Sequence, residues 1–226
     1  MSPPPSRGFA SRSTVLVICA ALAAGLGFQL AQRQFQRAPA STPASTPVVD
    51  PDSLRAVRLV QPPRALADWR LQRHDGRALG PADLRGRWTI VFLGFTHCPD
   101  VCPTTLQDLS KAQEQWQAIP EARRPRILFV SVDPERDSPE RTGIYAHHFH
   151  PDTWAATAQA VPLQQFAESL GLVYMKVPME GGSYSMDHSS TLVVLDPQGR
   201  LAGLIRPPLD PAAIAADLAR LTKASP

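Results

Sequence analysis

Lysine and cysteine are both scarce in this 226-residue chain, with three of each. The basic side chains are otherwise arginine, and nothing physical explains that bias. Cys19 falls in an apolar N-terminal stretch, which leaves Cys98 and Cys102 as one pair. A single pair cannot frame a domain of this size as a disulfide scaffold, so catalysis or metal binding is the expected use. Excess positive charge is missing where nucleic acid would need it. The formal charge is +3, yet residues 1–40 carry Arg7, Arg12, Arg33 and Arg37 with no acid, so the remainder is close to neutral. Nucleic acid has no electrostatic foothold there. Internal repeats are absent. At 43% hydrophobic and 19% charged, the chain can still bury an ordinary core.

Thr14 to Ala31 is almost wholly apolar and sits at the short end of what spans a bilayer. Arg7 and Arg12 precede it as a cytoplasmic flank should, which predicts a transmembrane anchor over 14–31 and a cytoplasmic tail over 1–13. A cleaved signal peptide is the rival, since Ala38-Pro39-Ala40 resembles a cleavage site but lies far beyond the apolar end. Either way the rest of the chain is exported. Residues 32–65, rich in Pro and Ala, read as a linker, and the folded domain is expected over 66–223.

Within that domain, Trp69 to Arg77 reads as a short hairpin turning at Asp75-Gly76. A strand is expected over 88–95, a helix over 103–119, and a buried parallel strand over 126–132. Ser138-Pro139 reads as the N-cap and first residue of a helix over 139–148. Thr153 to Thr157 reads as a loop. A helix over 162–170, strands over 172–177, 190–196 and 201–206, and a helix over 210–222 complete the order. This is an α/β, thioredoxin-like plan with a central mixed sheet and helices on both faces.

Cys98 and Cys102 lie between the strand and the first helix, in Gly94-Phe95-Thr96-His97-Cys98-Pro99-Asp100-Val101-Cys102-Pro103. Helix N-termini favour thiolate through backbone amides and the dipole. Each cysteine precedes a proline, which keeps it out of the α region and predicts Cys102 as the N-cap. Thiolates serve disulfide exchange and soft-metal binding equally. His188, in Met186-Asp187-His188-Ser189-Ser190, shifts the balance. In this fold that segment packs beside the cysteine loop, where thiol-disulfide enzymes usually carry a proline. An imidazole there points to a metal ligand. Two thiolates and one imidazole suit copper or zinc, and three ligands satisfy copper(I), whereas zinc wants a fourth.

Three runs together carry a resemblance: Gly94 to Leu106, Ser131 to Glu140, and Asp187 to Ser190. They closely resemble the Sco family, also called SenC, over about residues 66–222. The resemblance implies a membrane-anchored, thioredoxin-like copper chaperone. Such proteins assist assembly of the copper-A centre in subunit II of cytochrome c oxidase. It implies Cys98, Cys102 and His188 as the ligands of one copper ion, Cu(I) or Cu(II). It also implies partners: subunit II as acceptor, and an upstream copper donor or thiol reductant. The expected location is the bacterial inner membrane with the domain in the periplasm, or the mitochondrial inner membrane facing the intermembrane space. The competing function is a thiol-disulfide reductase, with His188 tuning the thiols. A peroxidase fits poorly, because Thr96 stands where that pattern would not have it. His147, His148 and His150 read as solvated residues at a helix end, Met186 as core filler worth watching, and Asp133 as turn chemistry near the site.

Overall fold

The structure is a computed structural model and describes residues 49–225. The expected tail and the expected span over 14–31 lie outside the described residues. Among the described residues no helix is long and apolar enough to cross a membrane.

Among the described residues, ten strands and four α-helices follow in chain order. They are β1 (Arg58–Arg64), β2 (Leu71–Arg73), β3 (Ala78–Leu79), β4 (Thr89–Gly94), α1 (Val101–Gln115), β5 (Arg126–Ser131), α2 (Pro139–Phe149), β6 (Trp154–Thr157), α3 (Ala160–Leu170), β7 (Tyr174–Pro178), β8 (Tyr184–His188), β9 (Leu192–Leu195), β10 (Leu201–Ile205) and α4 (Pro211–Ala224). Eight strands form one sheet in the order β1-β10-β9-β4-β5-β6-β2-β3. The strands β4, β5 and β6 run parallel, with Thr89 opposite Arg126 and Leu128 opposite Trp154. Every residue of β4 and β5 is buried, which is why the centre of each reads as an apolar run. On the other side of β4, β9 and β10 run antiparallel around the turn Asp196 to Gly199. There Asp196 accepts from the Gln198 and Arg200 amides.

The helices flank this mixed sheet. Ser138 caps α2 by accepting from the Arg141 amide at 3.1 Å, with Pro139 following, as its sequence predicts. Asp210 caps α4 through the Ala212 and Ala213 amides. Trp116, wholly buried, ties the end of α1 to α4 by donating to the Ala215 carbonyl at 3.1 Å.

Three expectations need correction. Residues 58–64, expected as linker, form β1, paired with β10 at Arg58–Leu204 and Leu59–Gly203. Pro62 and Pro63 disguise it, but an edge strand tolerates proline because its outer side donates to nothing. Residues 154–157, expected as loop, form β6, whose small alanines bury without any apolar periodicity. His188 was expected in a loop. It is the last residue of β8, which pairs only with β7 in a separate ribbon.

Candidate metal centre

The site forms where β4 ends and α1 begins. Gly94 closes β4, and a Cβ placed on it would stand 2.7 Å from Phe129 Cε2 and 3.0 Å from Cys102 Sγ. Glycine is therefore what lets the Cys102 thiol lie against the strand end. The helix starts at Val101, so Cys102 is its second residue and not its N-cap. Pro103 fits the first turn, where its missing N–H leaves no bond unmade. Cys102 is wholly buried and Cys98 half-buried, both as free thiols. The Cys102 amide donates to Cys98 Sγ at 3.4 Å.

His188 reaches the site from the ribbon. Its ring stands edge-on to Phe92 and Phe95, with centroids 6.1 Å away in each case. Nδ1 lies 3.2 Å from the Ser189 carbonyl, which makes it the protonated nitrogen. The lone pair of Nε2 then faces Cys102 Sγ at 3.6 Å. Burial lowers the His188 pKa, keeping the ring neutral. Burial also pushes the Cys102 thiol well above the ordinary thiol range. The neighbouring Cys98 thiol and Asp137 push it further, and a backbone hydrogen bond with Phe95 opposes them. Desolvation is the largest influence and favours the thiol form of Cys102, contrary to the thiolate expected at a helix start.

The donors fit a soft ion. With bonds of about 2.3 Å to sulfur and about 2.0 Å to nitrogen, an ion at an open angle holds its donors about 3.6 Å apart. That is the Cys102–His188 separation. Among the described residues no three His, Cys, Asp or Glu side chains already close around a common point. Cys98 is the more exposed donor and the one free to turn in.

Beneath the loop lies Asp137, which the sequence analysis did not single out. It is wholly buried and accepts from the Thr96 amide at 2.8 Å, Thr96 Oγ1 at 2.5 Å and Ser131 Oγ at 2.6 Å. These bonds hold the chain just ahead of Cys98. The signal was its spacing from Asp133, four residues away in one turn. Asp133, read from the sequence first as turn chemistry, shares this turn. It is buried, pairs with Arg136 Nε at 2.5 Å and accepts from Tyr184 Oη at 2.8 Å. Tyr184 opens β8, so this cluster moors the strand that carries His188.

The family model described as SCO1/SenC matches residues 58–223. The chain belongs to the SCO1/SenC family. It is 38% identical over 133 residues to the human mitochondrial SCO2 homolog, covering 58% of this chain and 50% of that protein. It therefore spans about half the length of that relative. A putative copper-binding protein of Stutzerimonas stutzeri is 34% identical over 154 residues, 68% of this chain and 74% of the other. Among solved structures, ScoI of Bradyrhizobium japonicum with copper bound superposes with a TM-score of 0.64 at 32% identity, over 69% of this chain and 98% of that one.

Other residues of this SCO1/SenC domain singled out from sequence fall elsewhere. His97 Nδ1 lies 3.6 Å from Asp137 Oδ1. Met186 is buried in the core, as its bland reading held. His150, expected in solvent, is buried, and its Nδ1 accepts from the Asp152 amide at 3.1 Å.

Proposed function

We propose that Cys98, Cys102 and His188 bind one copper ion and that the protein passes it to the copper-A centre of cytochrome c oxidase subunit II. The observation that carries this is the neutral imidazole presenting Nε2 to a buried thiol at 3.6 Å. That separation also lets one soft ion bind both atoms, with the two cysteines and the imidazole as its donor set. Copper enters as cargo: Cys98, half-exposed, meets the partner and exchanges ligands, while Cys102 and His188 retain the ion from below. Binding displaces the thiol protons. The segment 14–31 anchors the chain in the bacterial inner membrane, or the mitochondrial one, with the domain on the outer or intermembrane-space side. An upstream copper donor or a thiol reductant supplies the domain.

One observation favours a thiol-disulfide reductase instead. A half-exposed Cys98 receiving an amide hydrogen bond, beside a buried Cys102, is also the arrangement of an attacking and a resolving thiol. Copper bound per purified chain, reduced and anaerobic, separates the two. The wild type should hold one copper, and Cys98→Ala, Cys102→Ala and His188→Ala should each lose tight binding. If His188→Ala binds as well as the wild type, the reductase reading replaces this one.

A further inference from the structure

The parallel strands present Cys98 and Cys102 at their C-terminal end. At the opposite end, where β4, β5 and β6 begin, lies a cavity of about 480 Å³. Four arginines line it: Arg73, Arg87, Arg124 and Arg126. Their compensation is uneven. Arg73 is paired with Asp75, and Arg124 Nη1 lies 3.9 Å from Asp152 while its Nη2 donates to the Gln117 and Ile119 carbonyls. Arg126 donates to the Asp83 carbonyl at 2.9 Å, stacks on Trp154 at 3.7 Å and is only 7% exposed. Among the described residues no carboxylate makes an ion pair with Arg126 or Arg87. The Nε groups of Arg124 and Arg126 are buried without partners. Glu121 is the remaining acid on the wall, and it is exposed.

A buried guanidinium without a counterion is costly, and proteins normally pair it. Here no pairing carboxylate is found among the described residues. Burial lowers the Arg126 pKa to about 10, and the like charges of Arg87 and Arg73 add to that, outweighing Asp83.

We propose that this cavity binds the anionic oxygens of a phosphate group, held by Arg87, Arg124 and Arg126. Guanidinium forks match tetrahedral oxyanions as well as carboxylates. A carboxylate, with two oxygens, satisfies one fork. A phosphate offers acceptors to arginines approaching from different segments, which is the arrangement here: Arg87 precedes β4, Arg124 lies in the loop ahead of β5, and Arg126 opens β5. The phosphate comes either free from solution or on a lipid headgroup. The proposal does not rest on the copper reading, since the two sites occupy opposite ends of the sheet.

Full-length protein in neutral detergent is titrated with sodium phosphate, against sodium chloride at matched ionic strength, and separately with dihexanoylphosphatidylglycerol. The melting temperature is followed. A saturable rise with inorganic phosphate assigns the free ion, and a rise with the lipid alone assigns the headgroup. In Arg87→Gln the apparent affinity should fall roughly ten- to a hundredfold, the loss of one charge-assisted contact. Without added anion, Arg87→Gln should melt no lower than wild type, because it removes a like charge beside Arg126. Its copper uptake should be unchanged. No saturable response to either probe, or a response that Arg87→Gln leaves intact, overturns the proposal.

Discussion

Gly94 decides the site at the scale of single atoms. The Cβ of Gly94→Ala would overlap Phe129 Cε2 at 2.7 Å and press on Cys102 Sγ at 3.0 Å. Neither neighbour has slack, since Phe129 is wholly buried in β5. We expect a stability loss of about 1–3 kcal/mol by denaturant unfolding. Copper affinity should weaken with it, because the added Cβ also presses on the Cys102 thiol. Proton linkage belongs to the same scale. Cys102 is raised far above the ordinary thiol range, so copper uptake must expel its proton throughout the neutral range. The apparent copper affinity should therefore rise at least tenfold per pH unit between about pH 6 and about pH 8, one factor of ten for the Cys102 proton, read by competition with a chelator of known pH dependence. His188 acts in the same direction. Its folded pKa is lowered, so the neutral ring stabilises the fold fully above the free-histidine value of about 6.5. That stabilisation fades as pH falls through 6.5, about the free value, toward the folded one. Acid thus weakens both the fold and the metal site.

Among the elements, the β7–β8 ribbon is the one with the least support. It hydrogen-bonds to no strand of the main sheet, yet it carries His188. Its mooring is a polar cluster. Arg136 Nη1 donates to the Tyr184 carbonyl at 3.1 Å and stacks on the Tyr184 ring at 3.7 Å, while Tyr184 Oη donates to Asp133 at 2.8 Å. On the outer side Lys176 pairs with Glu135 at 2.6 Å, but both are largely exposed and contribute little. Tyr184→Phe leaves the buried Asp133 carboxylate short of a donor at a cost of about 1–3 kcal/mol. It should preserve the copper stoichiometry while lowering the affinity, because the ligand stays but its approach loosens. A competition titration beside an unfolding curve checks both. The turn holding Asp133 and Asp137 was visible in sequence as a cap and turn. Its role as a cradle was not, because both carboxylates act on residues about 40 to 50 positions away.

Over the whole molecule, the chain ahead of the predicted domain proves to be part of it. Asp217, in α4 and 1% exposed, accepts from the Arg55, Ala56 and Val57 amides at 2.9, 2.7 and 3.0 Å. That single carboxylate leads the segment into β1 at the sheet edge. Asp217→Ala should cost on the order of 3 kcal/mol, because three amides lose their acceptor and one of them is buried. The loss should appear as faster amide exchange in β1, with copper uptake unchanged, since the metal centre is built from other elements.

Local chemistry is what the sequence determined by itself. The apolar runs Ile90–Leu93 and Ile127–Val130 at the centres of β4 and β5 declared a buried parallel pair, because a strand covered on both faces has no polar alternation to show. Ser138-Pro139 and the turn at Asp196 were legible for the same reason, since caps and turns are satisfied within a few residues. The proposed donors Cys98, Cys102 and His188 were legible as residue types. Their states were decided by tertiary structure alone. Desolvation is the largest influence on the Cys102 thiol, and packing across 86 positions brings His188 Nε2 to it. Proline-bearing β1, alanine-rich β6 and the arginine cavity were hidden likewise, because each owes its character to neighbours remote in sequence. Periodicity and propensity record only what a segment can do alone.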